Sequence, residues 1–173
     1  LFFPATKSLY AEKQMDVMMG RGTDLPAVPQ SATRADIPQL SELLTLLFTQ
    51  EADFRPDPEK QCAGLQRIIA DPGIGDILVL KRGSEVVAMV NLLYTVSTAL
   101  GESVAILEDM VVHPDYRRGG AGSRLLRGAI EHCREKGCRR ITLLTDHDNS
   151  GAIRFYERHG FTRSSMVPLR LAL

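Results

Sequence analysis

The chain of 173 residues has no tryptophan, only three cysteines, no excess of either charge and no long apolar run. A membrane helix needs about 18 or more consecutive apolar residues, so no helical span and no membrane partner are expected. Cys62, Cys133 and Cys138 are odd in number and form no Cys-x-x-Cys pair, which argues against a disulfide framework or a thiolate zinc site. Lys+Arg and Asp+Glu both number 21, so a generally cationic nucleic-acid surface is excluded. Arg117, Arg118, Arg139 and Arg140 are too few to reverse that, and no nucleic-acid partner is expected. The opening LFFPATKSLY lacks a basic leader and a long apolar stretch, so a cytoplasmic location is expected. What is present is a 44% hydrophobic content, enough for a chain of this length to bury a core without cross-links.

Residues 1–27 carry Leu1, Phe2, Phe3, Leu9, Met15, Met18 and Met19 without periodicity. They are expected to form an arm outside the core and to contribute to a homodimer. Residues 28–173 are expected to form one domain. A short strand is expected over 28–33, weakened by Pro29. Asp36 suits a helix N-cap, with Ile37, Leu40, Leu44 and Leu47 following at helical spacing. A second helix is expected over 59–70, ended by Asp71-Pro72-Gly73. Strands follow over 77–81, 86–95 and 103–112, and their short turns imply antiparallel pairing. A helix over 123–136, a strand over 139–145, a helix over 150–159 and one or two closing strands after Phe161 complete the pattern. The expected fold is mixed α/β: one mostly antiparallel sheet of six to seven strands, with helices on both faces.

The stretch LEDMVVHPDYRRGGAGSRLL, residues 107–126, carries the chemistry. A strand ends at Pro114, and a glycine-rich loop opens into a helix. Helix N-termini present unpaired N–H groups and the positive end of the dipole, and glycines admit a ligand close to the backbone. With Arg117 and Arg118 beside them, these features suit a pyrophosphate; the plain alternative is a glycine-rich turn. The Gly-Lys-Ser/Thr ending of a P-loop and the G-x-G-x-x-G dinucleotide fingerprint are both missing.

Arg117-x-x-Gly120-x-Gly122 resembles the acyl-CoA signature of the GNAT superfamily of acetyl-CoA-dependent N-acyltransferases. Asn149-x-x-Ala152-x-x-Phe155-Tyr156, followed by Gly160-Phe161, resembles that family's second block. The likeness covers roughly residues 28–173. One departure is Arg118-Gly119, where the family more often has glycine followed by a basic or polar residue. The resemblance implies acetyl-CoA as cosubstrate, bound between two splayed parallel strands at the centre of the sheet. By position, backbone groups of Met110, Val111 and Val112 would meet the pantetheine arm. Those of Arg117, Arg118, Gly119, Gly120, Ala121, Gly122 and Ser123 would hold the pyrophosphate. Asn149 would lie near the cofactor, and Tyr156 near its sulfur.

Glu108 and Asp109 interrupt the apolar run VAILEDMVV, and strand alternation would point them to opposite faces. A carboxylate in a cleft can take the proton an amine must lose before attacking a thioester. Glu108 is the candidate base, and Leu107-Glu108-Asp109 resembles the polyamine and thialysine N-acetyltransferase branch; Asp109 is the alternative. Tyr156 is the candidate proton donor to the departing thiolate, core packing being its plainer role. Asp146, His147 and Asp148 match no zinc spacing, and no metal is expected. The expected activity is acetyl transfer to a primary amine of a small molecule by direct attack. The alternatives are acetylation of a protein or peptide amine, or acyl-CoA binding for regulation with little turnover. Glu51, Asp53, Asp57 and Glu59 give the loop over 48–60 an acidic look that would suit a cationic acceptor.

Overall fold

The computed structural model describes residues 25–50 and 55–172. Nearly all of the expected arm, and Glu51 and Asp53 of the acidic loop, lie outside the described residues. Among the described residues the order is β1 (Gln30–Ser31), α1 (Ile37–Phe48), α2 (Pro58–Ala70), β2 (Gly75–Arg82), β3 (Glu85–Ser97), β4 (Glu102–Val112), α3 (Ala121–Glu135), β5 (Ile141–Leu143) and α4 (Ser150–Glu157). The chain divides into two compact units, one ending at Leu143 and the other beginning at Leu144.

In the first unit the strands pair in the order β1-β2-β3-β4-β5. The first four are antiparallel to their neighbours, and β5 runs parallel to β4. β3 is buried continuously from Val86 to Leu92, which requires cover on both faces of the sheet. On one face α1 and α2 supply Ile37, Leu40, Leu44 and Leu65, packed with Ile77, Val79, Met89 and Val111. The alternate side chains Leu78 and Leu80 are buried as well. Their cover is α3, which packs on β2 and β3 and buries Leu125, Leu126, Ala129 and Cys133 at helical spacing. Leu40, Leu65, Leu125 and Leu126 are at most 1% exposed, and each contributes about 1.5–3 kcal/mol by leaving water.

Among the described residues the sheet has five strands, not six to seven. From Thr162 to Ala172 the chain is exposed and carries no strand, with Met166, Val167, Leu169 and Leu171 all at least 78% accessible. Apolar residues there suggested a strand, but a strand also needs a partner edge and a face to bury. Without closing strands, the parallel pair β4–β5 stands at the edge of the described sheet rather than at its centre.

One helix start also differs from expectation in its bonding. Asp36 does not cap α1 with its carboxylate. It turns back to accept hydrogen bonds from the Thr33 backbone N–H at 2.8 Å and hydroxyl at 2.9 Å, and pairs with Lys81 at 2.6 Å. Asp57 caps α2, accepting from the Lys60 N–H at 3.2 Å. Gln61 then accepts from the Asp57 N–H at 2.8 Å and donates to the Ser41 carbonyl at 2.9 Å, fixing the start of α2 on α1.

Candidate active site

The ladder between β3 and β4 contains a β-bulge. Val90 pairs with Met110 and Leu92 with Leu107, so Asn91 alone stands opposite both Glu108 and Asp109. An extra residue on one strand breaks the alternation of side chains. Counting from Val111, Asp109 faces α1 and α2; counting from Ile106 on the other side of the bulge, so does Glu108. The expected placement on opposite faces is therefore corrected: both line one cleft of about 500 Å³. That volume is in the range of small-molecule sites.

The floor of the cleft is Asn91, Leu93, Glu108 and Asp109 from the sheet; its wall comes from α1, α2 and the segment before α2. Asn91 is 3% exposed and donates from Nδ2 to Asp109 Oδ2 at 2.6 Å. Its Oδ1 is buried with no hydrogen-bond partner among the described residues. An unsatisfied acceptor of this kind costs about 1–3 kcal/mol. Glu108 is exposed and Asp109 half-buried.

Asn91 was missed in the sequence. The signal was there: an amide interrupts the apolar run VVAMVNLLY, as the two acids interrupt β4. Arg55 and Lys60 also reach the cleft, beside Phe48 and Asp57. Asp57 is tied to Lys60, ammonium to carboxylate, at 3.0 Å, and the bonds from Lys60 lower its pKa. The described part of this wall therefore carries Arg55 beside the paired Asp57 and Lys60, while Glu51 and Asp53 lie outside the described residues.

The glycine-rich loop follows a single turn at Pro114–Tyr116. Tyr116 is buried and donates its hydroxyl to Glu85 at 2.6 Å; burial, then this bond, raise its pKa. Arg117 Nε donates to the Val112 carbonyl at 2.9 Å, tying the loop to the end of β4. Arg118 and Gly120 both have positive φ, 66° and 81°. Gly120 is the N-cap of α3, and no side chain caps the helix. A β-carbon at Gly120 would meet no heavy atom within 4 Å, so it is the backbone conformation that calls for glycine. Gly119 is exposed, Gly122 and Ser123 are half-buried, and Ala121 buries its methyl, leaving its backbone as the group it can offer. The fit to a pyrophosphate is good: an uncapped helix start, an open glycine and two adjacent cations. The β4–β5 ladder ends at Leu107 and Leu143, and β4 runs on through Met110, Val111 and Val112 without β5 alongside.

The second unit holds Asn149 and Tyr156. Asn149 is the N-cap of α4, its Oδ1 accepting from the Ala152 N–H at 3.0 Å. Tyr156 is half-buried between the edges of Phe155 and Phe161, at centroid distances of 5.3 and 5.6 Å. Burial raises its pKa, so the phenol keeps its proton across the neutral range. Among the described residues no helix is long and apolar enough to cross a membrane.

Residues 37–161 match the model of the Acetyltransferase (GNAT) family, and the chain belongs to it. It is 29% identical to the aminoalkylphosphonate N-acetyltransferase of Salmonella typhimurium, over 86% of this chain and 94% of that one. An uncharacterised N-acetyltransferase of Bacillus subtilis, YhfO, is 34% identical over 49% of this chain and 57% of its own length. The match thus spans little more than half of that relative. Among solved structures, a protein described as a transcriptional regulator from Bacillus halodurans has a TM-score of 0.71 and 28% identity, over 84% of this chain and 99% of that one.

Proposed function

We propose that this protein transfers an acetyl group from acetyl-CoA to the primary amine of a small molecule by direct attack. The observation that carries the reading is the β4 bulge, which delivers two adjacent carboxylates into a cleft of substrate size. The amine nitrogen attacks the thioester carbonyl carbon and the carbon–sulfur bond breaks. Glu108 takes the proton lost by the amine, directly or through a water, while Asp109 stays engaged with Asn91. Tyr156 supplies a proton to the departing thiolate. Backbone groups of Met110 to Val112 hold the pantetheine arm, and the N–H groups of Arg117 to Ser123 hold the pyrophosphate. Asn149, the N-cap of α4, is assigned to the cofactor by the family resemblance. The Leu107-Glu108-Asp109 run supports a base in the position used by the polyamine and thialysine branch.

The test is CoA release by the full chain with acetyl-CoA and a panel of amines, together with CoA affinity of the Gly120→Asp variant. Expected are amine-dependent release and a loss of CoA affinity of at least about tenfold, since a carboxylate would replace the open cradle and repel phosphate. Unchanged CoA affinity in folded Gly120→Asp removes the pyrophosphate site. CoA binding with no release on any amine leaves an acyl-CoA-binding module.

A further inference from the structure

The cleft carries charge of both signs on different surfaces, and this bears on the acceptor. Its sheet floor holds Glu108, Asp109 and the buried Asn91 Oδ1, all of which accept hydrogen bonds. Its helical wall holds Arg55 and Lys60. Lys60 is shared with Asp57 at 3.0 Å, whereas no carboxylate among the described residues pairs with Arg55. A diamine or polyamine would bring its second cation to a wall that already carries a guanidinium. An acceptor with an anion at its far end would be matched at both ends.

We propose that the acceptor is a small primary amine bearing an anionic group, a phosphonate, phosphate or carboxylate. Asn91 Oδ1 receives an N–H group of the amine, and Arg55, with Lys60 beside it, receives the anion. This rests on the acetyltransferase reading but uses different residues from the transfer chemistry. A guanidinium forms paired, charge-assisted hydrogen bonds with a tetrahedral or planar oxyanion, which makes Arg55 the stronger of the two contacts. Asn91 is already held by Asp109, so its second amide atom is oriented before the acceptor arrives. The amide oxygen buried at the floor is thereby given a donor in the complex.

The experiment uses the full chain and acceptors of matched length: 3-aminopropylphosphonate, 4-aminobutyrate, 3-aminopropanol and 1,3-diaminopropane. CoA release gives kcat/KM for each, and calorimetry on the CoA-bound protein gives binding without turnover. At least one anionic amine should exceed both the alcohol and the diamine by about 10- to 100-fold, the worth of a charge-assisted hydrogen bond. Arg55→Ala should cut that ratio to near one, chiefly through KM. Asn91→Ala should weaken all four acceptors together, because the amine end is common to them. Preference for the diamine, or an Arg55→Ala variant with an unchanged ratio, overturns the proposal. If no amine is acetylated, calorimetric binding of an anionic amine that Arg55→Ala abolishes upholds the acceptor site while ending the acetyltransferase reading. Absence of such binding ends the acceptor proposal.

Discussion

Asp36 and Asp76 on one side, and Glu108 and Asp109 on the other, are carboxylates of the same sheet-and-helix unit that the fold treats in opposite ways. Asp36 is buried, and Thr33 and Lys81 meet both its oxygens. Asp76 Oδ2 is reached by His132 at 2.7 Å, by the Tyr94 hydroxyl at 2.7 Å and by Lys136 at 3.0 Å. Burial would raise the pKa of each acid, yet the surrounding donors outweigh it and both end below their ordinary values. Burial and the bond to Asp76 raise the pKa of Tyr94 in turn, and burial pushes the neighbouring Cys133 thiol up to about 12. That cluster ties the end of α3 to β2 and β3. Glu108 and Asp109 instead line an open cleft, where Asp109 accepts from the neutral Asn91 amide. Saturation with donors marks an acid that holds structure; an acid left facing a cavity is available for chemistry.

The sharpest way to break this contrast is to remove one negative charge from each side. Glu108→Gln should lower kcat by about 100- to 10,000-fold while leaving the thermal midpoint and CoA affinity near wild type. Part of the lost rate should return at high pH, where the amine is already neutral. Full activity in Glu108→Gln with a large loss in Asp109→Asn would exchange the two roles.

Asp76→Asn should do the reverse. Replacing a carboxylate that accepts three hydrogen bonds should cost about 1–3 kcal/mol of stability, read as a lower urea midpoint, with turnover per folded molecule retained. The acid limb of stability extends the test. Both Asp36 and Asp76 have folded pKa values below the unfolded value of about 3.9. Their contribution is therefore complete above that value and is lost as pH falls through the folded pKa. Urea midpoints between pH 7 and pH 3 should fall less steeply below about pH 4 in Asp76→Asn than in the wild type. An identical acid limb would show that Asp76 carries no stabilising linkage.

Much of this scaffold was legible because local signals were strong. Gly83 and Gly101 punctuate β2, β3 and β4, and the spacing of Leu125, Leu126, Ala129 and Cys133 is that of one helix face. The bulge was not legible, because it is a property of two strands in register and neither strand shows it alone. That is why Glu108 and Asp109 were expected on opposite faces. Counting acids around α2 also missed the cations that reach the same wall: Lys60, paired with Asp57, and Arg55 facing the cleft. The residues after Phe161 have apolar character without a partner edge, a condition no local pattern can report.

The smallest expected effect concerns a charge kept where the backbone disfavours it. Arg118 has φ of 66°, in the left-handed region, at a loop position where the related signature more often has glycine. That conformation costs a non-glycine residue about 1–2 kcal/mol. Glycine avoids this cost but gives back about 0.4–1 kcal/mol through the greater freedom of its unfolded chain. Arg118→Gly should thus gain a net of about 0.5–1 kcal/mol, measurable as a higher urea midpoint. If the guanidinium assists pyrophosphate binding, the same variant should bind CoA several-fold more weakly at low ionic strength, with the difference shrinking as salt screens it. A gain in stability with unchanged, salt-independent CoA affinity would show that the loop acts through its backbone alone. No gain in stability would mean that Arg118 makes a compensating contact in the loop, and would place it with the donor-saturated acids rather than with Glu108.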